Sequence, residues 1–182
     1  MTPVPESPLE QTEHGLVPTS DGWFVLNARD ATWRERPGRG FYCDFEAGTD
    51  FPQLGINLQR LGPGEPMSMY HWENDQEDFL VLAGEALAIV EGEERPLKQW
   101  DFLHCPAETK HTIVGAGDRP CLILCVGSRT MQGPGWGGYT VDETALRHDA
   151  GVEQETTVPK EAYARFPQSQ QTRYRDGWLP EL

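Results

Sequence analysis

The stretch Met69–Gly84, MYHWENDQEDFLVLAG, decides how this chain is read. It sets His71, one of five histidines, ahead of Glu73 and Glu77, then runs into apolar residues stopped by Gly84. On an extended strand, residues two apart share a face. His71, Glu73 and Glu77 have one parity, and Phe79 and Val81 continue it. A glutamate at the head of a buried strand is costly unless it is paired or holds a cation. A solvated charged loop is one reading of the stretch; a metal site at the mouth of a β-barrel is the other.

Downstream, His111 in PAETKHTIV follows a turn and leads into another apolar run. An antiparallel partner strand would carry it to the depth of Glu77. Two neutral imidazoles and two carboxylates carry a formal charge that offsets a divalent ion, and mixed N/O ligation suits Mn, Fe, Ni, Co or Zn.

From Gly22 to about Gly127 the chain reads as short strands: GWFVLNA, GFYCDFE, LGINLQRL, MSMYHWE, EDFLVLAG, EALAIVEG, WDFLHCP, KHTIVGAG and CLILCVG. The breaks between them are RPGRG, GPGEP, EGEE, CPAE and GAGDRP. Strands of this length and spacing predict an all-β sandwich or barrel, and the lack of a helical period argues against a parallel α/β sheet. Residues 1–20, rich in proline and acids, are expected as a flexible arm, residues 21–130 as the barrel, and 131–182 as an extension. In that extension MQGPGWGG reads as a linker. DETALRHD, capped by Asp142, and VPKEAYARF, with Pro159 in its first turn, read as short helices. The apolar residues of the C-terminal tail are expected to pack on the barrel or on a second subunit.

A formal net charge of −14 argues against nucleic acid and anionic membrane surfaces as partners. The N-terminus has neither the basic start nor the apolar core of a secretory leader, and no apolar run approaches the length of a spanning helix. Cys43, Cys105, Cys121 and Cys125 form no C-x-x-C pair and read as reduced, buried thiols of a cytoplasmic protein.

The two histidine-bearing stretches together resemble the cupin family. That family's first motif is G-x5-H-x-H-x3/4-E-x6-G; here HWENDQEDFLVLAG supplies His71, Glu73, Glu77 and Gly84 at the matching intervals. Its second is G-x5-P-x-G-x2-H-x3-N; here WDFLHCPAETKH supplies Pro106 and His111. The resemblance covers roughly Gly62 to Gly115. It implies a double-stranded β-helix, or jelly-roll barrel, holding a divalent transition metal (Fe, Mn, Ni or Zn) on His71, Glu73, Glu77 and His111. Departures from the pattern include Glu65, Glu108 and Gly115, in place of a glycine, a glycine and an asparagine, and Glu73, in place of the second histidine.

His104, in FLHCP, is either a hydrogen-bonded strand histidine or a pocket residue. Met69 and Phe79 are expected at the core or pocket wall, and Tyr70 and Trp72, of opposite parity, outside the barrel. The resemblance further implies a small organic ligand and a homodimer. Metal-dependent dioxygenase or isomerase chemistry is one functional reading; a non-catalytic small-molecule binder or sensor is the other. A sugar-phosphate substrate would want basic residues in the pocket. Arg60, Arg95 and Lys98 fall near turns or strand ends, and Lys110 has the wrong parity.

Overall fold

The structure, a computed structural model, describes residues 2–47, 49, 51–130, 133 and 135–180. In chain order it contains β1 (Leu9–Gln11), β2 (Leu16–Pro18), β3 (Trp33–Glu35), β4 (Phe41–Cys43), β5 (Leu54–Leu61), β6 (His71–Glu73) and β7 (Glu77–Ala83). There follow β8 (Glu85–Val90), β9 (Glu93–Lys98), β10 (Phe102–Cys105), β11 (His111–Ala116), β12 (Cys121–Ser128) and β13 (Gly137–Tyr139). Helices α1 (Glu143–Arg147) and α2 (Pro159–Ala162) precede the last strand, β14 (Gln170–Thr172).

Apart from the β1–β2 hairpin, the strands form two antiparallel sheets, in the orders β10-β7-β12-β5-β4-β3-β14 and β13-β6-β11-β8-β9. The period-2 patterning decides what lies between them. Phe79 and Val81 of β7, Ile123 and Cys125 of β12, and Ala86 and Ala88 of β8 join Ile113 of β11 in one buried cluster. Their opposite-parity neighbours face away. Leu58 and Leu122 pack under Trp33 and Trp178 on the outside of the seven-stranded sheet. Tyr70, Ile89 and Val114 lie outside the five-stranded sheet, beneath Ala145 and Ala150 around α1. This is the expected all-β jelly-roll barrel with short C-terminal helices, and Tyr70 lies outside it.

Both helices start where their signals stand. The Asp142 side chain accepts from the Ala145 amide at 2.8 Å, and Pro159 opens α2. The segment 1–20, expected as an arm, carries the β1–β2 hairpin, and its Ser7 amide donates to the Trp23 carbonyl at 2.8 Å. Two expectations need correction. GWFVLNA forms no strand: it makes a single bridge, Glu6 to Trp23, and leaves Val25 exposed. Strand preference had no sheet face there to act on. MQGPGWGG is not wholly a linker, because its last two glycines begin β13; Met131, Gln132 and Pro134 lie outside the described residues.

Two departures from the family pattern have local reasons. The Glu65 carboxylate accepts from the Gly62 amide at 2.7 Å and closes the turn there. A Cβ on Gly115 would stand 2.1 Å from the Gly62 carbonyl oxygen, so no side chain fits.

Candidate metal centre

Register brings the expected ligands together. His111 of β11 pairs directly with His71 of β6, in the five-stranded sheet. Glu77 reaches across from β7 of the facing sheet, so the strand beside His111 carries His71 rather than Glu77. The ligand atoms of His71, Glu77 and His111 lie within 4.8 Å of one another. Glu77 Oε2 is 3.2 Å from His111 Nε2 and 3.6 Å from His71 Nε2. Glu73 lies beside this group, with its Oε1 3.5 Å from His71 Nε2.

Both imidazoles are oriented by the backbone. His71 Nδ1 lies 2.9 Å from the Met69 carbonyl oxygen, and His111 Nδ1 lies 3.0 Å from that of Thr109. A carbonyl can only accept, so each Nδ1 carries the proton and each Nε2 presents a lone pair inward in the neutral ring. His111 Nε2 and Glu77 Oε2 are buried and make no hydrogen bond among the described residues. Buried polar atoms are seldom left this way. An oriented N/N/O set with two such atoms is the donor chemistry a divalent transition ion takes, so the residues fit that group.

Burial opposes ionisation of Glu77, but the close approach and charge of His111 and the charge of His71 together hold its carboxyl below the usual range. Burial likewise opposes an imidazolium at His111; the Cys105 and Glu77 partners outweigh it and raise the group to about 10. Burial pushes the thiol of Cys125, also on the wall, well above its usual range.

The group opens onto a cavity of about 220 Å³, whose wall includes Phe79, Met67, Tyr139 and Tyr163. Glu73 and Glu77 also line an adjoining cavity of about 290 Å³ with Asp75, Arg129 and Trp136. Phe79 thus stands at the expected wall, with its ring 5.3 Å from that of His111. Met69 takes the core alternative: it packs with Tyr139, Val152 and Ala162, its carbonyl meets His71, and its amide donates to the Tyr163 hydroxyl at 3.2 Å. His104 is not in the wall. His104 has the wrong parity: it points outward from β10, half exposed, with Nδ1 2.7 Å from Asp78 Oδ1 across the pair with β7. Asp75 is buried and accepts from the Ser128 hydroxyl and from the amide and hydroxyl of Thr130.

Two groups of cavity residues escaped sequence reasoning. Arg36 and Arg39 come from RPGRG, read only as a break. Tyr139 and Tyr163 come from the extension, brought over the barrel mouth by β13 and α2. Asn57 and Gln59 were visible in principle, since they are the polar positions alternating with Ile56 and Leu58 in β5.

Residues 57–127 match the family model described as the cupin domain. No curated protein matches the sequence. Among solved structures, a sugar phosphate isomerase from a cupin superfamily, from Silicibacter pomeroyi, is 28% identical with a TM-score of 0.45; the match covers 57% of this chain and 62% of that one. The polyketide cyclase RemF from Streptomyces resistomycificus is 12% identical with a TM-score of 0.45, over 51% of this chain and 67% of that one. A cupin protein from Bacteroides fragilis is 22% identical with a TM-score of 0.41, over 47% and 74%. The chain thus spans less than two thirds of the length of the first of these.

Proposed function

We propose that this chain, a member of the cupin superfamily, binds a divalent transition metal on His71, Glu77 and His111, with Glu73 as a weaker fourth ligand, and takes a small organic molecule into the cavity above it. The observation that carries the reading is the pair of backbone-oriented imidazoles whose Nε2 atoms converge on the Glu77 carboxylate. An ion there supplies Lewis acidity or, if it is iron, activation of dioxygen. The chain's own residues supply the rest. Tyr139, Tyr163 and Phe79 shape the chamber and limit water, and Cys125 and Met67 make part of its wall apolar.

Metal-dependent oxidoreductase or isomerase chemistry is the activity class we favour over a passive binder, because His71, Glu73 and Glu77, which would hold the ion, line the cavity that would take the small molecule. The test is metal content by mass spectrometry on protein purified without chelator. One divalent ion per chain supports the reading, with iron directing the search to oxygen chemistry and zinc to isomerase or lyase chemistry. Wild-type protein that stays metal-free after incubation with each of Fe, Mn, Ni and Zn would sink it.

A further inference from the structure

The β3–β4 connection places two arginines in the cavity. In Arg36–Pro37–Gly38–Arg39, the Arg39 amide donates to the Arg36 carbonyl at 2.7 Å, with Gly38 at φ 78°. Proline second and a positive-φ glycine third make the turn that brings its first and fourth residues together. Here those residues are two guanidiniums of like charge, and both line the cavity that His71 and Glu77 line.

Neither is neutralised. Among the described residues no carboxylate forms an ion pair with Arg36 or Arg39, and the Nε of each is buried without a hydrogen-bond partner. Arg36 is 9% exposed and is held by the Met67 and Arg39 carbonyls and the Gln59 side chain. Arg39 stands over the rings of Tyr163 and Phe166, at 4.2 and 5.2 Å from their centroids. Those rings orient its fork without supplying an acceptor. Arg129, in the adjoining cavity, is the contrast: its fork meets the Glu46 carboxylate at 2.7 and 2.8 Å.

In a chain of net charge −14, carboxylates are plentiful, yet among the described residues none forms an ion pair with Arg36 or Arg39, and Glu73 and Glu77, in the same cavity wall, approach His71 and His111 instead. A buried cation and a half-buried one that repel each other are costly unless something else brings the negative charge. We propose that Arg36 and Arg39 form an oxyanion subsite, so that the small molecule taken by this barrel carries a carboxylate or phosphate group bound by the guanidiniums. The cavity, at about 220 Å³, is smaller than the roughly 300–1,000 Å³ of drug-sized ligand pockets and suits an anion of few heavy atoms. That the far end of this molecule meets the metal rests on the function proposed above; the subsite itself does not.

The test titrates inorganic phosphate and malonate calorimetrically into chelator-treated and metal-loaded protein, with chloride holding the ionic strength constant. Wild type binds at least one of the two in both forms. Arg39→Gln weakens that binding by about 10- to 100-fold, the loss of charge-assisted hydrogen bonds, and keeps the wild-type metal content. Arg39→Lys recovers part of the affinity. Lys110→Gln, which alters an exposed cation outside the cavity, leaves affinity unchanged. Tighter phosphate binding marks a phosphate ester as the ligand class, and tighter malonate binding a carboxylate. Arg36→Gln also breaks the ties to Met67 and Gln59, so Arg39→Gln is the deciding variant. Unchanged affinity in Arg39→Gln, or no binding of either anion by wild type, overturns the subsite. Anion binding that needs Arg39 in a protein that takes up no metal supports the subsite and overturns only the metal reading.

Discussion

His71, Glu77 and His111 each place one potential ligand atom in a group spanning 4.8 Å, so on the proposed function each alanine variant would remove a donor. Loss of a residue that merely supports a ligand already costs about 10–100-fold in metal affinity, and loss of a ligand costs at least the upper end of that range. His71→Ala, Glu77→Ala and His111→Ala are expected to fold yet purify largely metal-free, whereas Glu73→Ala keeps a weaker site because Glu73 approaches only His71. His104→Ala leaves metal content unchanged, since its ring lies outside on Asp78. Metal analysis of the five variants checks this ordering; full occupancy in His111→Ala would refute it. Proton linkage gives a second expectation for the chelator-treated protein. His111, raised from 6.5 to about 10, stabilises the fold fully below pH 6.5 and gives that contribution up as pH climbs through 10. Glu77 is depressed, so its contribution is present above its ordinary 4.5 and is lost as pH falls through its lower folded value. Urea midpoints of the chelated form should therefore fall between about pH 6.5 and 10. An ion on Nε2 replaces the proton, so the metal-loaded form should lack that alkaline fall. Equal slopes in the two forms would show that His111 Nε2 does not bind the metal. The expected ligands were legible because parity and spacing survive in sequence. Arg36 and Arg39 were not, because a turn signal says where the chain reverses and nothing about which cavity its side chains enter.

The loop before β11 carries a testable local strain. Glu108 stands where the family pattern has glycine, and it adopts φ 69° while its amide donates to the Glu73 carbonyl at 2.6 Å. A left-handed conformation costs a residue with a Cβ about 1–2 kcal/mol. Glu108→Gly should relieve part of this, offset by the glycine's greater unfolded entropy, for a net gain of up to about 1 kcal/mol in chemical denaturation. A loss of stability would mean that the side chain contributes more than its backbone costs. The same scale explains which strands were readable. β5, β7, β8, β11 and β12 are apolar runs that supply the central faces of the sheets, and they announce themselves. β9, β13 and β14 are edge strands with sequences EERPLK, GGY and QQT. Pro96 is tolerated in β9 because an edge strand has one side without a ladder. Such strands exist because a neighbour offers backbone partners, and their own residues do not report it.

At the scale of the molecule, the tail that suggested a second subunit is accounted for within the chain. Trp178 packs on Trp33 and Phe41, with ring centroids 5.2 and 4.2 Å away, and Tyr163 covers the cavity. Trp178→Ala should cost about 3–5 kcal/mol in urea unfolding, as for other buried tryptophans, and a change under 1 kcal/mol would mean the tail is not docked in solution. The case for a homodimer therefore moves to a different surface. β10 is an outer strand of the seven-stranded sheet, and Trp100 and Phe102, at its start, are 67% and 63% exposed. An unpaired strand edge flanked by two exposed aromatics is a surface that proteins usually blunt with charge or cover. A two-fold related copy would cover it symmetrically, edge against edge or face against face. Light scattering at micromolar concentration should give twice the monomer mass, and Phe102→Arg, which sets a charge on that edge, should return the protein to monomer mass with metal content unchanged, because Phe102 is not among the residues lining the metal cavity. A wild-type protein that scatters as a monomer, or a Phe102→Arg variant that stays dimeric, would rule out this edge as the interface.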